Sequence, residues 1–358
     1  MRGYIREIDS LRAGAVLLVL VHHWLTGFFE AFPIGRFGVR LFFVLSGFLI
    51  TSILLESRTR IAAGASTVGG ELKTFYARRT LRIFPVYYAL LVVTAAAGMS
   101  VVVDTLPWHM LYASNVYFAL RGEWNEYVTH LWSLSVEEQF YAVWPLTILF
   151  LPRRWMLAGL IGLVVAAPLF RLALALADVN PIAVRILTPS CFDTLGMGAL
   201  LAFARFNDWG TERWTARCFV LGAPLLVATL IVGLRAPDAV FVLVFQDFAV
   251  GLLSVAVLNL VILNAGAAWL APLRLKPILY VGQISYGIYL YHLFVTHAVA
   301  SALPTAGSAS KIPLYLIGTL LVAALSWELF EKPINGLKRH FPYAPATRFS
   351  NEAPSAVL

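Results

Sequence analysis

Apolar residues along the chain gather into runs of about 20, the length a helix needs to cross ~30 Å of hydrocarbon. Short breaks containing Pro, Gly or charged residues separate the runs. Ten runs fall near residues 11–29, 36–56, 82–99, 131–151, 155–177, 189–206, 216–234, 241–263, 278–302 and 312–331. This pattern predicts an all-α integral membrane protein, a bundle of about ten transmembrane helices. The stretch 104–121 is apolar and aromatic but short and Pro-containing, which suits a segment lying in the membrane interface. No polar stretch between the runs is long enough for a soluble domain. Residues 1–340 therefore read as one membrane-embedded domain, and 341–358 as a short cytoplasmic tail expected to be disordered. No internal repeat of the kind that marks many secondary transporters is evident.

Composition sharpens this picture. Of 358 residues, 60% are hydrophobic and 13% charged, about half the charge of a soluble domain, so a water-soluble globule is excluded. The net charge of +8 is explained by where the cations lie. With a cytoplasmic N-terminus, 20 of the 27 Lys and Arg residues fall on the cytoplasmic side, as the positive-inside rule requires, and both chain ends are cytoplasmic. The charge then needs no nucleic acid. Glu7, Asp9 and Arg12 crowd the first apolar run, His22 and His23 interrupt it, and no small-residue cleavage site follows, so it reads as a retained helix and not a signal peptide. Two cysteines, Cys191 and Cys218, are too few for a disulfide framework, an iron–sulfur cluster or a Cys-rich zinc site. There is also no HExxH, GxGxxG or GxxxxGK[ST] pattern, so neither a metal nor a tightly bound cofactor is expected.

Ionisable residues at membrane depth are costly, and each is a candidate for function. Arg12 opens the first helix, and His23 follows eleven residues later, ~16 Å deeper on the same helical face. That pairing suits a long substrate with an anionic head at the interface and a reactive end in the core. A packing role for His23, bonded to a neighbouring carbonyl, is the competing reading. Arg78, Arg79 and Arg82 begin the third helix. They serve either as a topology signal or as a phosphate clamp, since guanidinium forks match phosphate oxygens. Glu137 and Glu138 lie about two turns into the fourth helix. There, one of them either orients an imidazole or holds a proton, or pairs with Arg171 or Arg40. Asp193, Gln246, Asp247 and His292 form an outer polar group that suggests a hydrated cavity, while Tyr87 and Tyr88 lie in the inner half of the third helix. Ser46 lacks a GxSxG setting and reads as a small packing residue, and Asp9 and Glu331 read as helix caps or partners of nearby Arg.

Several stretches together resemble one family, the integral-membrane acyltransferase 3 family. They are IDSLRAGAVLLVLVHH with Arg12 and His23, RFGVRLFFVLSGFLIT, FYARRTLRIFPVYY with Arg79 and Arg82, WSLSVEEQFYAVWPL, and SYGIYLYHLFV with SWELFEKPI. The resemblance covers residues 5 to about 338. It implies transfer of an acyl group, usually acetyl, from cytoplasmic acyl-CoA as co-substrate to a hydroxyl of a carbohydrate, lipid-linked or macrolide-like acceptor in the bacterial inner membrane. By the resemblance His23 is catalytic, with Glu137 or Glu138 orienting it or holding the acceptor. Arg12, Arg79 and Arg82 match residues expected to meet the donor, and the reading of the residues themselves adds Arg78 to that group and places Tyr88, Arg171, Asp193, Asp247 and His292 at the acceptor or cavity. Tyr88 is the guess for an oxyanion donor. Arg40 stands where many members have Asp, so an acidic role there does not carry over. The chain ends about 25 residues after its last predicted helix, from which no appended extracellular hydrolase-like domain is expected. The rival class is a proton-coupled transporter or flippase of a sugar-like or lipid-linked solute, because a bundle with buried Glu, Asp, His and Arg also suits proton shuttling.

Overall fold

A computed structural model describes residues 4–25, 34–305 and 307–343. The last part of the first predicted span and all but the first three residues of the predicted tail lie outside these. The described residues form helices joined by short turns, with no strand among them. In chain order the helices are α1 (Glu7–Trp24), α2 (Ile34–Ala62), α3 (Val68–Ala96), α4 (Ser100–Met110), α5 (Ser114–Arg121), α6 (Leu131–Phe150), α7 (Arg153–Leu176) and α8 (Pro181–Ile186). There follow α9 (Phe192–Phe206), α10 (Glu212–Gly233), α11 (Val240–Leu263), α12 (Lys276–Gln283), α13 (Ser285–Ala302), α14 (Ser308–Ser326) and α15 (Lys332–Gly336).

Six helices among the described residues are long and apolar enough to cross a membrane: α2, α3, α7, α10, α11 and the continuous rod from Ala309 to His340. Helices α12 and α13 are apolar enough only when taken together, and they are bent by 71° at the break between them, the form of a broken span or a re-entrant loop. The predicted spans carried by α1, α6 and α9 are helices but fall short of that standard, the first two because they carry polar groups and the third because it is short. Helix α1 holds Glu7, Asp9 and Arg12, α6 holds Glu137 and Glu138, and α9 has 15 residues, ~22 Å of helix. These are helices that meet protein more than lipid.

Local chemistry sets the ends. The Thr67 side chain accepts a hydrogen bond from the Gly70 N–H, capping α3. Glu71 in its first turn then ion-pairs with Arg60 at 2.7 Å and accepts from Ser57, tying the start of α3 to the end of α2. Helix α3 begins fourteen residues before the predicted span, so Arg78, Arg79 and Arg82 lie on the body of a 29-residue helix and not at its start. Asn180 caps α8 ahead of Pro181. In the predicted interfacial stretch, His109 is fully buried between Thr105 and Ser114, and burial pushes its imidazole down to about 4, so it packs as a neutral group.

The centre of the bundle is the crossing of α2 and α9, flanked by α1, α7 and α11. It closes through reciprocal glycines. A Cβ on Gly47 would lie 2.0 Å from the Leu195 carbonyl oxygen, and one on Gly198 would lie 2.0 Å from that of Val44. The close-packing role expected of Ser46 belongs to its neighbour Gly47. Small residues of this kind let membrane helices approach backbone to backbone. Gly198→Ala is expected to cost about 1–3 kcal/mol, read as a lower unfolding midpoint in detergent, whereas Gly162→Ala, with open space around it, should leave the midpoint unchanged.

Candidate active site

Three cavities run from the N-terminal end of α1 to its C-terminal end. The first is a mouth lined by Arg78, Arg79, Arg82, Arg12, Lys338 and Tyr343. The Arg78 guanidinium donates to the Lys338 and Phe341 carbonyls at 3.1 and 3.0 Å and stacks 5.3 Å from the Tyr343 ring, so it holds the C-terminal segment in place. Arg79 lies over Tyr141, 4.9 Å from the ring centre.

The second cavity shares Arg12, Arg79 and Arg82 with the mouth and has a volume of about 90 Å³. Glu137 and Glu138 face it from α6. Ser46 donates to Glu137 Oε1 at 2.7 Å and accepts from the Tyr141 hydroxyl at 2.9 Å. One residue along a helix turns a side chain by about 100°, so Ser46 faces the cavity while Gly47 faces α9. The bend between α12 and α13 builds the opposite wall. Gly282 lets α12 meet α1, where any Cβ would strike the Asp9 carbonyl, and Ser285 accepts from Arg12 Nε at 3.3 Å. Helices broken where they line a cavity are tolerated at membrane depth because protein, not lipid, surrounds the break.

The third cavity, about 590 Å³, shares Val39 and Tyr289 with the second and is lined by His22, His23 and His130. His23 sits in the last turn of α1. Its Nδ1 lies 2.9 Å from the Val19 carbonyl and 3.3 Å from Nε2 of His292, whose Nδ1 is 2.6 Å from the Tyr289 carbonyl. A carbonyl only accepts, so in both neutral rings Nδ1 carries the proton. Nε2 of His292 then accepts from His23, and Nε2 of His23 keeps its lone pair. His130 continues the row, its ring 5.0 Å from that of His292.

The residues singled out from the sequence thus divide. Arg12, Arg79, Arg82, Glu137 and Glu138 share the second cavity, and His292 is bonded to His23. Glu137 accepts from Ser46 and lines the second cavity with Glu138 and the arginines, and the partners of the His23 ring are Val19 and His292. Arg171 and Asp193 pair with each other at 2.6 Å, fully buried, with Arg171 also donating to the Val244 carbonyl. Asp247 pairs with Arg40 at 2.7 Å. Glu137 and Glu138 are therefore not the partners of either buried arginine. The Tyr88 hydroxyl donates to the Met110 carbonyl at 2.9 Å, away from the histidines. Asp9 accepts from Tyr4, and Glu331 accepts from Ser326 at 2.9 Å. Sequence reading passed over Tyr141, Ser285, His130 and Tyr289. Tyr141 follows Glu137 by four residues and Tyr289 precedes His292 by three, spacings that share a helix face. Among the described residues no group of His, Cys, Asp and Glu is arranged to hold a metal.

Residues 5–330 match the model of a family described as an acyltransferase domain. The chain is 29% identical over 378 residues to the peptidoglycan O-acetyltransferase OatA of Listeria monocytogenes, covering 95% of this chain and 57% of that protein. It is 27% identical over 368 residues to the O-acetyltransferase OatA of Staphylococcus aureus, covering 92% and 57%. The chain therefore spans a little over half the length of the curated relatives it matches. No solved structure matches it. With that match running through the helices that carry Arg12, His23, Arg79, Arg82 and Glu137, this multi-pass membrane protein belongs to the integral-membrane acyltransferase 3 family.

Proposed function

We propose that the protein is a membrane O-acyltransferase that moves an acyl group, acetyl in the simplest case, from acyl-CoA to a hydroxyl of a carbohydrate acceptor. The observation that carries this reading is the series of three adjoining cavities, with Arg12, Arg79 and Arg82 toward one end and His23 at the other. Arg12 and His23 are eleven residues apart on one helix, an axial rise of ~16 Å. A polyanionic donor with a long flexible arm fits that layout. Its phosphates stay with Arg12, Arg79 and Arg82, and the arm carries the thioester along the second cavity toward His23.

In this reading the arginine end is cytoplasmic. Counting α1, α6, α9 and the bent pair α12–α13 with the six apolar spans makes ten crossings, an even number that returns the C-terminus to the same side, in a bacterial inner membrane. The acceptor enters the histidine cavity from outside. His23 Nε2 takes the proton of the acceptor hydroxyl as its oxygen attacks the thioester carbonyl. CoA leaves as thiolate and is protonated by the imidazolium, which returns His23 to its starting state. The His292 ring, holding the Nδ1 proton of His23, keeps the Nε2 lone pair on the cavity side. Glu137, Ser46 and Tyr141 form the polar wall of the acyl path.

The reading is tested at the donor end. Removing Arg79 strips one charge-assisted contact, worth about 1.5–3 kcal/mol, so Arg79→Ala should raise the KM for acetyl-CoA by roughly tenfold or more while moving the acceptor KM little. Steady-state CoA release by purified protein reads both. An effect on the acceptor KM alone would remove the arginine cluster from the donor site, and absence of acetyl-CoA binding by the wild type would remove the acyltransferase reading itself.

A further inference from the structure

Guanidinium groups gather at the histidine cavity. Arg36, Arg40 and Arg185 all line it. Arg40 is matched by Asp247 at 2.7 Å and Arg185 by Asp238 at 3.2 Å. Arg36 differs: among the described residues, its one hydrogen-bond partner is the neutral side-chain carbonyl of Gln246. Glu126 lines the same cavity, but no ion pair joins it to Arg36 among the described residues. The charge of Arg36 reaches His22, the neighbour of His23. Among the described residues Arg36 has only the carboxylates of Asp247 and Asp238 to share with Arg40 and Arg185, and a partly buried guanidinium short of charge compensation is costly. Nor does topology account for it, since Arg36 lies at the end of the bundle away from the Arg12, Arg79 and Arg82 cluster, against the trend that places cations on one side. A planar fork of donors suits a carboxylate or phosphate, and Trp124 and Trp132 give the same cavity apolar faces.

Building on the acceptor role assigned to this cavity above, we propose that the acceptor is anionic. It carries a carboxylate or phosphate close to the hydroxyl that is acylated, and Arg36 binds that oxyanion. The acceptor class is then an acidic or phosphorylated saccharide, and the anion sets its position against His23.

The test uses the full chain in lipid nanodiscs, titrated with glucuronic acid, glucose 6-phosphate and glucose, with acetyl-CoA titrated into the same samples. Wild type should bind at least one of the two acids tenfold or more tighter than glucose. Tight binding of glucuronic acid alone assigns the carboxylate, and of glucose 6-phosphate alone the phosphate. Arg36→Gln should bring acid and neutral sugar within about twofold. Gln246→Glu places a carboxylate beside Arg36 at nearly constant shape, and should lower the acid preference at least fivefold even if Arg36→Gln proves unstable. Equal binding of acid and glucose, binding of neither acid, or a preference that survives both variants but is lost in Arg79→Ala would overturn the proposal; the last result would put the anion in the arginine mouth. Acetyl-CoA affinity within twofold of wild type confirms that each variant is folded. Loss of acetyl-CoA binding in the wild type itself would strike the acyltransferase reading, separately from the anion site.

Discussion

His23→Ala is expected to lower acceptor-dependent CoA release by 10²- to 10⁴-fold, the range over which a positioned general acid–base contributes. The binding of acetyl-CoA should change little, because the arginines that meet its phosphates in this reading lie on the first and second cavities and His23 lies on the third. A kcat effect with an unchanged donor KM is therefore the expected signature. Unfolding has a different signature, loss of acetyl-CoA binding together with turnover. The partners of the ring refine the test. His292→Ala removes the acceptor 3.3 Å from Nδ1 but leaves the Val19 carbonyl at 2.9 Å, so its effect should be smaller than that of His23→Ala. Transfer at the wild-type rate in His23→Ala would take this imidazole out of the chemistry. Acetyl retained on the protein after acetyl-CoA alone, and lost in His23→Ala, would place an acyl-histidine step before the acceptor.

The second large effect lies away from the cavities. Asp193→Ala leaves the Arg171 guanidinium fully buried, facing only the Val244 and Ser190 carbonyls. Breaking a buried pair by removing one partner costs about 3–5 kcal/mol, because an uncompensated charge remains, whereas replacing both by apolar groups of similar volume is often neutral. The unfolding midpoint of Asp193→Ala in detergent should fall sharply, and Arg171→Met combined with Asp193→Leu should recover most of the loss. Because neither residue lines the three cavities, the folded double variant should turn over acetyl-CoA as the wild type does. A folded double variant without turnover would return this pair to the acceptor site.

The apolar runs and ionised residues at membrane depth were legible from the chain because hydrocarbon permits few solutions. About 20 apolar residues make a crossing, and a charge within one must be matched or used. Eleven residues between Arg12 and His23 put them on one face of one helix whatever surrounds it, so their axial separation followed from sequence alone. Partner choice did not. The sequence leaves a histidine or a buried arginine as the neighbour of Glu137 and Glu138. Arg171 instead took Asp193, Arg40 took Asp247, and Glu137 took Ser46. Each pairing joins different helices, and their rotation and stagger are set by contacts such as the Gly47 and Gly198 crossing, where the difference between Ser46 and Gly47 is a turn of about 100°. The length of α3 was missed for a related reason. Its first turns are polar and lie outside the apolar run, yet a Thr67 cap and the Arg60–Glu71 pair hold them helical.

What the sequence determined by itself is a helical, multi-pass membrane chain and the set of side chains too polar to face lipid. Both follow from the cost of exposing backbone and charge to hydrocarbon. The tertiary structure decided how those side chains are spent. It placed Arg171, Asp193, Asp247 and Arg40 in ion pairs, and brought Ser46 and Tyr141 to Glu137 and His292 to His23. Hydrogen bonds reach about 3 Å, and only the packed geometry of separate helices brings groups that close.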